Sequence, residues 1–224
     1  MNPWPDEKKI IASFYNRETP FQKLKDLYPQ FQLLSLKQTH SANVIIIDKE
    51  NLEKDHEGDA WVTPLENIGL TIHTADCLPL LAYSNNIIGA CHGGWRGLSQ
   101  NILEAWVARL LASGATRDSL KIAAGPAIGP CHFEVKKDVS DLLLKNIPIN
   151  LVSGIKKPHL DAEKDYIDLK ALARFKLLKL GLSDKNLFFS EDCTFCDEKL
   201  YLSFRRDGAQ KGQRLESIIV KPRH

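Results

Sequence analysis

Charge of one sign is nearly absent from the balance of this chain. Lysine and arginine number 30 against 28 aspartates and glutamates, a formal net charge of +2. A nucleic-acid binder would carry a basic stripe, whereas the lysine pairs at 8–9, 136–137 and 156–157 are short and scattered. They read as solvated surface, and no nucleic-acid partner is expected. Apolar runs are short too. None reaches the ~18 residues that a membrane span needs, so no membrane partner is expected. Five cysteines in 224 residues are too few, and odd in number, for a disulfide scaffold. A reducing cytoplasm is the expected compartment, which leaves the thiols for packing, metal or catalysis. The opening M-N-P-W-P-D-E-K-K meets an acid and turn-formers before any apolar run, unlike a secretory leader. Internal repeats and Pro/Gly/Ser linkers are missing as well.

What is present is ordinary globular composition, 43% hydrophobic and 26% charged. Residues 1–20 are weakly patterned, and a short helix is expected near 20–27. The β-branched run N-V-I-I-I-D at 43–48 reads as a buried strand, and 53–59 as a charged connector. Three more strands are expected at 68–74, 78–83 and 87–91, with Asn85-Asn86 as a hairpin turn between the last two. The period then changes. Ile102, Leu103, Trp106, Val107, Leu110 and Leu111 share one helical face, with Asn101 and Glu104 as a capping box and Gly114 as the stop. A strand at 120–124 and a helix over 135–146 follow, the latter with Val135, Val139, Leu142 and Leu143 inward. Another helix starts at Asp168 as N-cap and ends at Gly181. Strands at 187–190, 200–204 and 217–220 close the chain. This order predicts one α+β domain over 1–224, with mixed β-sheets flanked by helices.

Metal-loving side chains interrupt the apolar runs at three places. These are K-Q-T-H-S at 37–41, H-T-A-D-C-L-P at 73–79 and C-H-G-G-W-R-G at 91–97. Each sets a His or Cys where a strand gives way to a turn. His40, Cys77 and His92 would make a Cys-His-His site with its fourth position open, the catalytic zinc pattern. Zinc lowers the pKa of a bound water to about 7. Plain packing of Cys77 and structural roles for the histidines stand beside that reading. His73, four residues before Cys77, could be a fourth ligand or a proton shuttle, with a supporting or packing role read ahead of either. Gly93, Gly94 and Gly97 permit a tight turn, whose following helix would aim free N–H groups back at it, with Arg96 adding charge for an anion. The segment 125–132, G-P-A-I-G-P-C-H, is a stiff loop suited to a pocket wall or to turn chemistry alone. C-x-x-C at 193–196 reads as structural ahead of metal or redox chemistry. Its likeness to the zinc-deaminase signature fails, because Asp192 stands where proline is required and the His132-Phe133-Glu134 half is too distant. Arg205 and Arg206 beside a turn suit an anionic group or surface acids.

Taken in order, K-Q-T-H-S, G-D-A-W-V-T, T-A-D-C-L-P, G-A-C-H-G-G-W-R-G, G-P-A-I-G-P-C, C-T-F-C and S-F-R-R-D-G resemble one family over about residues 36 to 215. It is the polyphenol oxidoreductase or laccase-domain family, regarded as purine nucleoside phosphorylases, with relatives linked to peptidoglycan editing. The resemblance implies the laccase-domain, cysteine-hydrolase-like fold and one zinc ion on His40, Cys77 and His92. It implies purine nucleosides and phosphate as partners, in a monomer or small homo-oligomer. The implied reactions are phosphorolysis of adenosine, inosine, guanosine or methylthioadenosine, and deamination of adenosine to inosine. Candidate catalytic residues are then Cys77, Asp76 (as proton shuttle) and Arg96. Candidate substrate-binding residues are Gln38, His73, Gly93, Gly94 and Arg205. The family's T-R-x-G-G-V-S opening is replaced at 10–20 by S-F-Y-N-R, which makes 1–35 a divergent segment, and the late G-R pair reads Gly212-Gln213-Arg214.

Other functions remain open on these residues. Copper is not expected: a blue-copper site plus a three-copper cluster takes more histidines than the seven present, of which His56, His159 and His224 lie outside the motifs. A cysteine or metal amide hydrolase acting on a peptidoglycan precursor would use Cys77 as nucleophile and His92 as base. A metal-stabilised binding protein would use the same cluster without turnover.

Overall fold

The computed structural model describes residues 1–208 and 214–223. Its strands are β1 (Ile11–Phe14), β2 (Gln32–Ser35), β3 (Val44–Ile46), β4 (Ala60–Thr63), β5 (Ile68–Thr74), β6 (Leu78–Ser84), β7 (Ile87–Gly93), β8 (Lys121–Ala124), β9 (Glu134–Lys136), β10 (Lys156–Pro158), β11 (Lys164–Ile167), β12 (Leu187–Phe189) and β13 (Leu215–Val220). Its helices are α1 (Phe21–Leu27), α2 (Trp95–Ser99), α3 (Ile102–Ala112), α4 (Lys137–Leu144), α5 (Ile149–Val152), α6 (Leu169–Lys179) and α7 (Phe204–Asp207).

The β6–β7 hairpin frames the molecule. It pairs along its full length, from Leu78↔Gly93 to Ser84↔Ile87. Asn85 takes the left-handed φ of 53° that a tight hairpin turn favours. Every residue of both strands is buried, because the sheet is covered on both faces. Successive side chains alternate sides. Leu78, Leu80, Ala82, Ile87 and Cys91 join the core that includes α3 and α6. Leu81, Tyr83, Ile88 and Ala90 pack with Leu70, Ile72 and Ile219 of a second sheet. The hairpin lies inside a six-stranded mixed sheet of order β12-β8-β6-β7-β4-β3. The second sheet runs β1-β13-β5-β2, and a third runs β10-β11-β9. This is the expected α+β architecture. Gly89 lets α3 approach the sheet: a Cβ there would fall 2.9 Å from Trp106 Nε1, the indole nitrogen that donates to the Trp61 carbonyl at 3.0 Å. Among the described residues no helix is long and apolar enough to cross a membrane.

Several expectations need correction. The segment 43–48 forms only a half-buried edge strand, β3. The helix expected from Val135 begins at Lys137, because Val135 pairs with Asp165 in β9–β11, and Leu142 is exposed. Asn101 and Glu104 form no capping box. Asn101 is left-handed at the junction with α2 and makes no cap bond. Both side chains instead accept from Lys176 Nζ, at 3.0 and 2.8 Å. No strand forms at 200–204, where Ser203 caps α7 and Arg206 Nη2 donates to the Tyr201 carbonyl. Conversely, the weakly patterned region 1–20 supplies β1, which pairs with β13, and β2 forms where no strand was expected and pairs with β5. Asp168 caps α6 as expected, accepting from Lys170 N and Ala171 N.

Asp165 holds the third sheet to α4. Its buried carboxylate accepts from Ser140 Oγ at 2.7 Å, with Lys137 Nζ at 3.4 Å and Lys156 Nζ at 3.6 Å. Burial alone would raise its pKa, but the Ser140 bond and the two ammonium groups outweigh that and lower it. A depressed carboxylate pKa stabilises the fold above the unfolded value of about 3.9, and that stability is lost as pH falls through the folded value. Asp165→Asn should therefore cost about 1.5–3 kcal/mol at pH 7 and much less at pH 3, as measured by denaturant unfolding. An equal cost at both pH values would refute the ionic contribution.

Candidate functional site

An acid opens the apolar run Asp59-Ala60-Trp61-Val62, and it is fully buried. Burial of a carboxylate demands partners, and Asp59 has them in the loop before β3 and in β7. It accepts from His40 N at 2.9 Å, Ser41 N at 2.6 Å and Ser41 Oγ at 2.7 Å. Thr39 N donates to it at 3.2 Å and His92 Nδ1 at 2.8 Å. Burial would raise the Asp59 pKa, but the bonds from His92 and Ser41 prevail and hold it well below the usual carboxylate range. An ionised carboxylate only accepts, so the His92 proton sits on Nδ1 and leaves Nε2 for the site. The same bonds hold His40 in a left-handed backbone, φ 59°, a conformation that costs roughly 1–2 kcal/mol.

Cys77 is the last residue of the β5–β6 turn, and its Sγ lies 3.9 Å from His40 Nε2. The His40 and His92 rings meet edge to face at 4.7 Å between centroids. Ligand atoms of His40, Cys77 and His92 all lie within 4.8 Å of one another. Burial would raise the Cys77 thiol, yet His40 and His92 bring it down to about 6. Burial would likewise lower His92, whereas Asp59 and Cys77 raise it to about 9. Gly94 closes the cluster. A Cβ there would fall 3.0 Å from His40 Cδ2, 3.4 Å from Cys77 Sγ and 3.5 Å from His92 Cε1. Two imidazoles and a readily ionised thiol, converging without a side chain between them, form a His/Cys metal-binding group.

This group borders a cavity of about 650 Å³. Gln38, His73, Asp76, Arg96 and Arg205 also line it, as do the apolar Leu36, Ile128, Phe133 and Phe204. The cavity thus gathers most of the residues singled out in the sequence, but several already have partners. The Gln38 amide clasps His73, donating to its carbonyl and accepting from its N–H, both at 2.8 Å. His73 Nδ1 meets Glu216 Oε2 at 2.6 Å, and its Nε2 meets the Ser35 hydroxyl. Asp76, left-handed at φ 84°, accepts from Thr194 Oγ1 at 2.6 Å, Ser203 Oγ at 3.0 Å and Arg205 N at 2.7 Å. The Arg205 guanidinium reaches the Glu134 carbonyl at 3.1 and 3.2 Å. Arg96 lies 4.5 Å over the Trp95 ring. Gly93 is buried as the last residue of β7. The helix expected after the glycines starts earlier, with Gly94 at its N-cap and Gly97 inside it. The five-residue α2 follows Gly94, and the long helix begins only at Ile102.

Loop 125–133 supplies Ile128 and Phe133 to the cavity wall. Arg214 lines the cavity, whereas Gly212 and Gln213 lie outside the described residues, as does His224. Sequence reasoning missed Asp59, Glu216 and Thr74. Thr74 lines the cavity, and its hydroxyl is buried without a hydrogen-bond partner. The available signal for Asp59 was an acid set against an otherwise apolar strand.

The family described as multi-copper polyphenol oxidoreductase laccase matches residues 6–221. A protein of an unknown prokaryotic organism, named adenosine deaminase RL5, is 33% identical over 199 residues, covering 84% of this chain and 75% of that protein. A Xylella fastidiosa protein named purine nucleoside phosphorylase is 36% identical over 179 residues, covering 77% of this chain and 66% of that protein. A crystal structure of a Neisseria meningitidis protein superposes with a TM-score of 0.85 at 25% identity, covering 99% of this chain and 98% of that one.

The donor arrangement makes a direct prediction. Asp59→Asn should weaken divalent-metal binding about 10–100-fold, as loss of a ligand's supporting hydrogen bond does elsewhere. Gly94→Val should weaken it as well, by displacing His40. Competition against a chromophoric chelator measures both, and unchanged affinity in both variants would refute the support role.

Proposed function

Because the chain belongs to the multi-copper polyphenol oxidoreductase laccase family, we propose that it is a zinc-dependent purine nucleoside enzyme, phosphorolytic and adenosine-deaminating, working at His40, Cys77 and His92. The observation that carries this reading is one cavity that joins the His/Cys group, apolar and aromatic walls, and arginine side chains. Its volume of about 650 Å³ suits a ligand of nucleoside size. The names of the similar proteins, phosphorylase and deaminase, support the choice of substrate class.

When bound, zinc supplies Lewis acidity toward an oxygen at its open position. The chain's own residues do the rest. Phe133 and Phe204 receive the flat face of the base. Arg96 and Arg205 orient phosphate. In phosphorolysis a phosphate oxygen bonds to C1′ as the C1′–N bond breaks, and the departing base gains a proton. In deamination water replaces the amino group at C6, and ammonia leaves. We assign the proton-carrying role to His73, oriented by Glu216 and Ser35. Asp76, the first candidate for that role by sequence, is engaged by three donors and instead fixes the segment that carries Arg205. Residues 1–224 act in this reading as one cytoplasmic catalytic domain, with 1–35 as its divergent segment.

A second reading has one observation in its favour. Cys77 lies between two imidazoles that bring its thiol down to about 6, which suits a nucleophile of an amide hydrolase on a peptidoglycan precursor. Product analysis separates the two. Zinc-loaded protein with adenosine and phosphate should yield adenine and ribose 1-phosphate, or inosine and ammonia. His40→Ala and Cys77→Ser should bring both to the buffer rate. Arg205→Ala should raise the KM for phosphate about tenfold, equivalent to about 1.4 kcal/mol, with a smaller change for adenosine. No purine product from the zinc-loaded protein would refute the proposal, and alkylation of Cys77 that blocks amide cleavage in metal-free protein would establish the second reading.

A further inference from the structure

Outside the cavity group, a second cluster of metal-ligating side chains is built from two distant segments. Cys131 and His132 end the stiff loop after β8, and Cys193 and Cys196 form the C-x-x-C after β12. Their ligand atoms all lie within 4.8 Å of one another. We propose that Cys131, His132, Cys193 and Cys196 bind a second, structural divalent metal ion of the zinc class, in a closed Cys₃His set.

Geometry, chemistry and surroundings carry this. The Cys131 Sγ lies 3.6 Å from Cys193 Sγ and 3.5 Å from Cys196 Sγ, and Cys196 Sγ lies 3.4 Å from His132 Nδ1. A tetrahedral zinc with bonds of about 2.3 Å to sulfur and 2.0–2.1 Å to nitrogen spaces its ligand atoms about 3.5–3.8 Å apart. These three separations therefore already stand near tetrahedral edges, and the remaining three are within 4.8 Å. The His132 ring is fixed by stacking on Phe195, 3.9 Å between centroids. Gly129 N donates to Cys193 Sγ at 3.1 Å, the bond that a thiolate accepts best. A side chain at Gly129 would fall 3.3 Å from Cys131 Sγ, so glycine keeps the space clear. Lys170 Nζ donates to the Asp192 carbonyl at 2.6 Å, which places a positive charge next to the thiolates. Binding would release the thiol protons to solvent.

Four protein ligands leave no open position, so the role is structural. The ion would staple loop 125–133, which carries Ile128 and Phe133 into the cavity, to the turn whose Thr194 holds Asp76. Thr194 N already donates to the Ala127 carbonyl across this junction at 3.1 Å. A disulfide is the competing fate, but it would use two sulfurs and leave the third and the imidazole without a common partner.

Elemental analysis of the whole chain, produced with zinc and purified under a non-chelating reductant, tests this. Wild type should hold two zinc ions per chain. Cys77→Ser should hold one, and so should Cys193→Ser/Cys196→Ser. Cobalt loaded into Cys77→Ser should show thiolate-to-cobalt charge transfer with tetrahedral d–d bands. One ion per chain in wild type, lost in Cys77→Ser, would overturn the proposal, as would a disulfide among these three cysteines in freshly reduced and repurified protein. Should the double variant not fold, wild type still decides. Mercurial titration mapped to Cys131, Cys193 and Cys196 should release one zinc ion, and modification without zinc release would overturn it. Neither outcome bears on whether the cavity acts on nucleosides.

Discussion

A carboxylate sealed from water organises the candidate site. Asp59 reaches a loop on one side and a strand end on the other. Removing one partner from a buried charged pair costs about 3–5 kcal/mol, so the loop geometry and the His92 proton position are locked to the same group. His40 can occupy a left-handed backbone only because its N–H and that of Ser41 end on this carboxylate. The position of two of the three ligands follows from a residue that is itself no ligand.

The fold brings the third ligand by a different route. The β5–β6 turn and the end of β7 lie at the same edge, because Leu78 pairs with Gly93 in the hairpin. Cys77 and Gly94 therefore stand opposite each other across that pair. The ligand group is closed on this side by the absence of a Cβ at Gly94. Sheet register, one glycine and one buried acid together set the arrangement.

Much of this frame was legible in the chain, and the failures have physical causes. The hairpin could be read because two short apolar runs separated by Asn-Asn are local signals. The Asp168 and Gly181 limits of α6 were readable for the same reason. Val135 was misassigned to a helix because its apolar character fits both periods, and pairing with β11 decides between them. Asn101 looked like a helix cap, but a preceding helix turn forces its backbone into the left-handed region. The three ligands fall at strand ends with no spacing rule to join them, and ordered motifs, not local chemistry, brought them together. Asp59 was missed because its partners lie far along the chain. The convergence of Cys131 and His132 on Cys193 and Cys196 was hidden likewise, since the long-range parallel pairing of β8 with β12 and the bridge Ala127↔Cys193 bring the two loops side by side.

The position of β13 has a consequence for biogenesis. It lies between β1 and β5 and pairs with both, yet it comes last of the three from the ribosome. Until it arrives, β1 has no neighbour in that sheet, and the side chain that orients His73 has not been made. The pocket wall must therefore assemble around a gap, filled only when translation has passed Val220. Such a long-range closure is slow by nature, and a nascent chain stalled short of Leu215 would expose an unzipped sheet edge.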